Sequence, residues 1–183
     1  MINTKVIITG SCLVDKLSIA KELIKKDDDL SIAMTFTSDK EYKDKPNDNY
    51  IYFMDSSEID LAYKNNVLFY VSTENYVSNG ITMDSLYNDD IFCLSIKDFN
   101  NISNNIFNSK LYEIIVIWVD SKFTEKTPEV LEDIRETKYL IERLNSVKYM
   151  YFLDEKPEDI SDVIIEYING DELIQAKLLE ENN

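Results

Sequence analysis

The sequence contains no histidine and has only three glycines and two cysteines in 183 residues. The lack of histidine excludes Ser-His-Asp triads, Cys-His dyads and the side chain that most often binds metal ions. Cys12 and Cys93 lie far apart, without the spacing of a zinc site, so we expect two free, mostly buried thiols in a reducing compartment. In a chain with so few glycines, we expect each one at a position where the backbone geometry requires it.

Long apolar runs and positive charge are also scarce. The longest apolar run, residues 114–119, is far shorter than the roughly 20 residues of a membrane-spanning helix, and the N-terminus shows no secretory signal. The 35 acidic and 19 basic residues give a net charge of −16, which disfavours nucleic acids and anionic membranes as partners. We therefore expect a cytoplasmic protein, in the host cytoplasm or the virion if the gene is viral.

Strand and helix patterns alternate along the chain, which predicts an α/β fold with a mostly parallel sheet flanked by helices. The strands are predicted at residues 6–9, 31–36, 50–53, 67–71, 76–77, 91–96, 112–119 and 147–153. The helices are predicted at residues 15–26, 57–65, 127–144, 157–169 and 171–180, with a helix or loop at 98–108. The second helix has the spacing of a capping box at residues 57–60, and Asn79-Gly80 predicts a turn.

One segment has the frame of a phosphate-binding loop, because it joins an apolar strand to a helix as the pattern G-x-x-x-x-G-K-[ST] requires. Asp15 replaces the second glycine and brings a carboxylate to a place where backbone N–H groups would surround phosphate. Leu17 replaces the hydroxyl residue that would hold magnesium. An ordinary strand-to-helix turn that needs one glycine is the alternative. The loop positions are Gly10, Ser11, Cys12, Leu13, Val14, Asp15, Lys16 and Leu17.

The order of these elements resembles guanylate kinase, a family of P-loop nucleoside-monophosphate kinases, over most of the chain. The resemblance is carried by the loop, by Tyr52-Phe53 before a helix, by residues 67–80 and by residues 148–154. It implies a single domain over residues 1–183, with a core at about 1–34 and 83–170 and a C-terminal helix at 171–183. It also implies a small β-rich insertion for the acceptor nucleotide at about 35–82, and a reduced lid.

The resemblance further implies an acceptor site whose residues have changed. Asp39 and Tyr42 stand where the family has two arginines that grip a phosphate, and a carboxylate there repels a phosphate. Tyr70 stands where the family reads guanine with a glutamate. The acceptor positions carried over to this chain are Thr35, Asp39, Tyr42, Tyr70, Asn79 and Gly80.

Two further features have alternative interpretations. Arg135 and Arg143 are either remnants of the lid arginines that close over a transferred phosphoryl group or parts of a solvated helix face. Asp120 follows an apolar strand, either as a carboxylate that supports magnesium or as an ordinary acidic residue at a strand end.

Changes at the loop, the acceptor site and the lid predict a degenerate guanylate-kinase-like protein with weak or no phosphoryl transfer, used to bind a protein partner or as a scaffold. Tyrosines 50, 52, 70 and 76 would form an aromatic surface for that partner, or would pack the sheet. Weak nucleotide binding and the oligomeric state stay open. The alternative is an active nucleoside-monophosphate kinase that binds ATP and magnesium and uses Lys16, Arg135 and Arg143 as catalytic charges. Without activity, we expect no cofactor and no metal site.

Overall fold

The computed structural model describes residues 3–11, 14–44, 49–74, 76–103, 112–122, 127–143 and 147–170. The chain divides into two compact units, Met1–Leu30 with Asp90–Asn183, and Ser31–Asp89. In chain order the elements are β1 (Asn3–Gly10), α1 (Lys16–Lys26), β2 (Thr35–Thr37), a 3-10 helix (Lys40–Tyr42), β3 (Ile51–Phe53), α2 (Ser56–Lys64), β4 (Leu68–Glu74), β5 (Val77–Thr82), α3 (Met83–Asn88), β6 (Ile91–Cys93), α4 (Ile96–Ser103), β7 (Tyr112–Asp120), α5 (Pro128–Arg143), β8 (Val147–Leu153) and α6 (Pro157–Ile168).

The first unit is built on a parallel sheet with the strand order β6-β1-β7-β8. Its central strands, β1 and β7, consist largely of β-branched residues that are buried on both sheet faces, as in parallel sheets covered by helices. Helices α1 and α6 pack against each other, as do α4 and α5. The predicted mostly parallel sheet flanked by helices is therefore confirmed.

The second unit is a small sheet with the strand order β3-β2-β5-β4. Strands β2 and β3 are parallel, whereas β5 runs antiparallel to both β2 and β4. Ile59 of α2, Leu68 of β4 and Ile81 of β5 are buried and form part of its core. This unit contains the residues of the predicted β-rich insertion.

The structure corrects several element bounds. The strand predicted at residues 31–36 begins later and ends one residue further on, at Thr35–Thr37. The strand predicted at 91–96 ends at Cys93, and α4 begins at Ile96. Helix α3 was not predicted; its N-cap is Thr82, whose hydroxyl accepts a hydrogen bond from the Ser85 N–H at 2.9 Å. A helix of this length shows too little periodicity to be recognised from the sequence.

Two local predictions in the second unit were wrong. The capping box of α2 involves Asp55 and Glu58 instead of residues 57–60, and the Asp55 N–H donates to Glu58 Oε2 at 3.0 Å. Asn79 and Gly80 lie inside β5 and do not form a turn. A Cβ on Gly80 would lie 2.7 Å from Leu68 Cδ1, so this glycine lets β4 and β5 pack closely.

Some predictions fall outside the described residues, namely the C-terminal helix at 171–183, loop positions Cys12 and Leu13, and the end of the segment 98–108. Within the described ranges, none of the helices has the length and apolar character that crossing a bilayer requires.

Candidate functional site

Gly10 ends β1 and begins the phosphate-binding-type loop with a φ of 120°, which favours glycine. A Cβ at this position would lie only 2.1 Å from the Val119 carbonyl oxygen of β7. The next residue continues this close approach, because the Ser11 N–H donates to the same oxygen at 2.9 Å. The first glycine of the motif is therefore required by the packing of the loop against β7.

Lys16, the lysine of the motif, reaches back across the loop. Its Nζ donates to the Ser11 carbonyl oxygen at 3.0 Å. The Val14 N–H donates to the same oxygen at 3.3 Å, so the described part of the loop is closed on itself. In a nucleotide site this ammonium group would contact phosphates. Here it donates a hydrogen bond to a backbone carbonyl group of its own loop.

Asp15 is the N-cap residue of α1. Its Oδ1 accepts a hydrogen bond from the Ser18 N–H at 3.1 Å, and its Oδ2 accepts one from the Ser18 hydroxyl at 2.6 Å. These bonds, chiefly the one from the Ser18 side chain, hold the pKa of the Asp15 carboxyl below its ordinary value. The carboxylate therefore occupies the positive end of the helix dipole, the kind of position at which phosphate-binding loops hold a phosphate.

The arrangement also lacks the hydroxyl ligand that magnesium needs at this loop. Leu17 provides an aliphatic side chain, and the hydroxyl of the next residue, Ser18, is bonded to Asp15. No group of three residues suited to metal binding occurs in the described part of the chain. The described loop residues do not fit magnesium bound to a nucleotide.

Cys93, the last residue of β6, contacts the first residue of α1. Its Sγ donates to the Lys16 carbonyl oxygen at 3.5 Å. Burial raises the pKa of the thiol to about 12, while the charge of Lys16 acts in the opposite direction. The thiol is neutral at physiological pH and serves as a weak hydrogen-bond donor, which disfavours a nucleophilic role.

The acceptor positions lie in the second unit, and four of them fall on three adjacent strands. Thr35 of β2 is in register with Ile81 of β5, which is also in register with Tyr70 of β4. Asn79 and Gly80 pair with Thr37 and Phe36 on the neighbouring strand. The sheet thus brings Thr35, Tyr70, Asn79 and Gly80 onto neighbouring strands, although none of them carries a positive charge.

The other two acceptor positions lie at the 3-10 helix that follows β2. Asp39 is its N-cap, and Oδ1 of this residue accepts a hydrogen bond from the Glu41 N–H at 2.9 Å. Tyr42 is its last residue. A carboxylate therefore caps a helical turn at the position that the sequence resemblance assigns to a phosphate-binding arginine.

Sequence reasoning missed a group of hydroxyls beside these positions. The Ser78 N–H donates to the Ser38 hydroxyl at 2.8 Å, and the Ser78 and Thr73 hydroxyls are 3.1 Å apart. Ser38, just after β2, is 40 positions from Ser78, and only the pairing of β2 with β5 brings it to the neighbouring hydroxyls of Thr73 and Ser78 on β4 and β5. Their hydrogen bonds to one another join the strands, which is a structural role.

The two arginines and Asp120 belong to the first unit. Arg135 lies on α5 with an exposed side chain, and Arg143 is the last residue of the same helix. The side chain of Arg143 is outside the described part of the structure. Asp120 is buried at the end of β7 and accepts a hydrogen bond from the Ser121 N–H at 2.8 Å.

Comparisons with known proteins give a match at the level of structure. No protein-family model and no curated protein sequence matches the chain. The crystal structure of guanylate kinase from Anaplasma phagocytophilum is similar, with a TM-score of 0.59 and 13% sequence identity over 97% of this chain and 87% of that chain. The chain therefore has a guanylate-kinase-like P-loop fold, which confirms the resemblance drawn from the sequence; at this identity the likeness shows the fold alone.

Proposed function

We propose that this protein is a degenerate guanylate-kinase-like protein that has lost phosphoryl transfer and acts by binding a protein partner. The observation that carries the proposal is the Asp15 carboxylate, which accepts two hydrogen bonds from Ser18 at the N-terminus of α1. The protein supplies its own anion at the position where a kinase of this fold would bind a phosphate.

The expected effect on ATP binding follows from two terms. Displacing the Asp15 cap costs about 1 kcal/mol, as for other N-cap losses. Leaving the carboxylate in place puts it at about 4 Å from a phosphate charge, which costs roughly 1 to 4 kcal/mol depending on solvent screening. The bound state takes the cheaper route, so Asp15 alone weakens ATP binding by about fivefold, and the missing magnesium ligand at Leu17 adds to this loss.

The acceptor positions support the same proposal. Asp39 faces the backbone of the 3-10 helix with a carboxylate, and Tyr42 provides no charge, so neither replaces an arginine in binding a phosphate. Tyr70 cannot present the two acceptor oxygens with which a glutamate would recognise guanine. Phosphate-binding and base-recognising groups are thus missing at a second site as well. A kinase that has only changed its nucleotide preference explains these changes less well than a protein that has lost phosphoryl transfer.

The kind of partner is proposed from charge and exposed aromatic surface. A net charge of −16 favours a partner with a basic surface and disfavours nucleic acids. Of the tyrosines at positions 50, 52, 70 and 76, Tyr52 packs against Phe36 with ring centroids 5.8 Å apart, whereas Tyr76, in the β4–β5 connection, is 99% exposed. We therefore propose Tyr76 as an aromatic contact for the partner.

A coupled assay with ATP, magnesium and each of GMP, AMP, CMP and UMP tests the loss of catalysis. We expect no turnover above the enzyme-free blank for any acceptor. Turnover that disappears in Lys16→Ala would contradict the proposal and establish the alternative, an active nucleoside-monophosphate kinase that uses ATP and magnesium. Turnover that is unchanged in Lys16→Ala would come from a contaminating kinase and would leave the expected result in place.

Partner binding is tested separately by affinity capture from the native source with the wild-type protein and Tyr76→Ser. The expected result is a basic protein that the wild type retains and Tyr76→Ser retains less well. A captured set that is identical for both proteins would contradict the role of Tyr76.

A further inference from the structure

A cavity of about 450 Å³ lies in the first unit between α5 and the sheet face formed by β7 and β8. This volume is within the range of small-molecule binding sites, roughly 300 to 1,000 Å³. The residues that matter for its chemistry are Trp118 and Asp120 of β7, Tyr149 and Tyr151 of β8, and Lys138 of α5. None of them belongs to the phosphate-binding-type loop or to the acceptor positions.

The fold brings these side chains together through simple periodicities. Trp118 and Asp120 are two residues apart on β7, so they point to the same face of the sheet, as do Tyr149 and Tyr151 on β8. The register pairs Trp118 with Tyr151 and Val116 with Tyr149. Above them, Leu131, Ile134 and Lys138 are spaced by three and four residues and share one face of α5.

Helix α5 is fixed in its position by contacts outside the cavity. The hydroxyl of Thr137 donates to Oδ1 of Asn100 on α4 at 2.7 Å, and both residues are buried. A buried hydrogen bond of this kind orients the helix relative to α4. The helix thus covers the aromatic face of β7 and β8 without filling the space above it.

The cavity has aromatic walls and one buried carboxylate. Trp118 is 3% exposed and Asp120 is 7% exposed, whereas Tyr151 is 50% exposed, so the cavity runs from solvent to a carboxylate held inside. The Asp120 charge also acts on the two tyrosines. It contributes, together with burial as the largest cause, to raising the pKa of Tyr149 and Tyr151. The electrostatic potential in the cavity is therefore negative near Asp120.

We propose that this cavity binds a small organic ammonium ion with an apolar or aromatic body. The ammonium group would pair with the Asp120 carboxylate, which already accepts hydrogen bonds from the Ser121 N–H and the Tyr151 hydroxyl; an ionised carboxylate has about four acceptor sites and can accept more than two such bonds. The aromatic rings of Trp118, Tyr149 and Tyr151 would contact the body of the ligand and stabilise its charge by cation–π attraction.

Other ligand classes fit the cavity less well. A phosphate or a carboxylate would meet the buried Asp120 charge. A bound metal ion would need more than this one carboxylate, and the described residues include no metal-binding cluster. Lys138 has an exposed side chain on the α5 wall, and its positive charge opposes a simple cation. It would instead attract the carboxylate of a zwitterionic ligand. Loss of Lys138 should therefore strengthen the binding of a simple ammonium ion and weaken the binding of a zwitterion.

The test uses the fluorescence of Trp118, the single tryptophan of the chain, as a readout inside the cavity. The wild-type protein is titrated with 2-phenylethylammonium, with the isosteric neutral 2-phenylethanol and with the 3-phenylpropionate anion. We expect saturable binding of the ammonium ion, at least about tenfold tighter than binding of either other compound. Equal or tighter binding of the anion, or no saturable change with any probe up to about 10 mM, would overturn the proposal.

Variants assign the binding to named residues. Asp120→Asn is expected to weaken binding of 2-phenylethylammonium about tenfold or more, whereas Glu155→Gln, which removes an exposed carboxylate outside the cavity, leaves it unchanged. Equal losses in both variants would overturn the role of Asp120. If Asp120→Asn does not fold, Lys138→Met decides the matter: the ammonium ion should then bind more tightly and the zwitterion phenylalanine more weakly, and no change with either ligand would overturn the proposal.

Discussion

Gly10 and Asp15 occupy the two glycine positions of one loop motif, but their backbones differ. Gly10 has a φ of 120° and lies against the Val119 carbonyl group, so only glycine fits there. Asp15 has a φ of −76° and a ψ of 87°, which a residue with a side chain adopts without the strain of a positive φ. The fold therefore retains the glycine that packing requires, and the other position is free to carry a helix cap.

Gly10→Ala should destabilise the protein by more than about 3 kcal/mol, because a methyl group would collide with backbone atoms and the residue would keep a positive φ. Gly170→Ala is the matched control. Its φ is 83°, and a Cβ would meet no atom within 4 Å, so we expect a cost of only about 1 kcal/mol. Urea denaturation of both variants measures the difference. Equal losses would show that the approach to Val119 is unimportant.

Cys93 should react with thiol reagents only slowly in the folded protein, because burial raises its pKa to about 12 from an ordinary value of 9.0. Between pH 9.0 and about 12, the folded state keeps the thiol proton, whereas the unfolded state loses it. The thiol therefore contributes stability that is fully present below pH 9.0 and is lost as the pH rises from 9.0 towards about 12.

Reaction of Cys12→Ser with a chromogenic disulfide reagent at pH 8, with and without urea, measures this protection at Cys93 alone. Reaction at the same rate in both conditions would contradict it. Loss of unfolding free energy above pH 9.0 that is absent from Cys93→Ala would support the pH dependence.

At the same scale, the sequence identified the changed residues of the site but not what they do. The replacement of glycine by Asp15 and of a hydroxyl residue by Leu17 is visible in the motif itself. The motif does not show which way the Asp15 carboxylate points, because an aspartate before a helix can either cap the helix or face solvent. The contact of Cys93 with Lys16 joins residues that are 77 positions apart, which no local pattern reveals.

Among the elements, α1 and α6 depend on each other through Lys26 at the C-terminal end of α1. Its Nζ donates to the Glu158 carbonyl oxygen, the Ser161 hydroxyl and Asp162 Oδ1, at distances of 2.6–2.8 Å. The Ser161 side chain is buried, so this ammonium group also satisfies a polar group inside the helix pair. The basic residue stands at a helix end where positive charge is favoured.

Lys26→Met should lower the unfolding free energy by about 1 to 2 kcal/mol, because it removes charged hydrogen bonds while keeping the aliphatic stem. Lys25→Met is the control, since Lys25 makes an exposed pair with Glu22 on the same helix that is worth only about 0.3 kcal/mol. Thermal unfolding should show a drop of about 2 to 8 °C for Lys26→Met alone. Similar shifts in both variants would contradict the bridging role of Lys26.

The elements that could be predicted were the long ones with a clear period. The apolar runs of β1 and β7 and the helical spacing of α1 and α6 identify them without tertiary information. The short elements β2 and α3 depend on contacts with other segments, such as the Met34 N–H that donates to the Ser85 hydroxyl at 3.2 Å. Gly80 was misplaced for the same reason, because its place in β5 depends on pairing with Phe36 of β2 and Val71 of β4.

For the whole molecule, the dominant property is a net charge of −16. The excess negative charges repel one another, and this repulsion destabilises the compact folded state. Raising the salt concentration from about 0.01 M to about 0.3 M shortens the range of this repulsion from roughly 30 Å to less than 10 Å. The unfolding free energy should therefore rise with sodium chloride over this range. Denaturant titrations in urea, which does not itself add ions, measure the effect, and a flat or falling dependence would contradict it.

The central claim is that the Asp15 carboxylate takes the place of a nucleotide phosphate at the N-terminus of α1. Calorimetric titration of ATP with magnesium into the wild type, Asp15→Asn and the double variant Asp15→Gly with Leu17→Ser tests it most directly. We predict weak or undetectable binding to the wild type, a gain in Asp15→Asn from the loss of charge, and a larger gain, more than about fivefold over the wild type, in the double variant, which also restores a magnesium ligand. Tight binding to the wild type, or no gain in the double variant, would contradict the account.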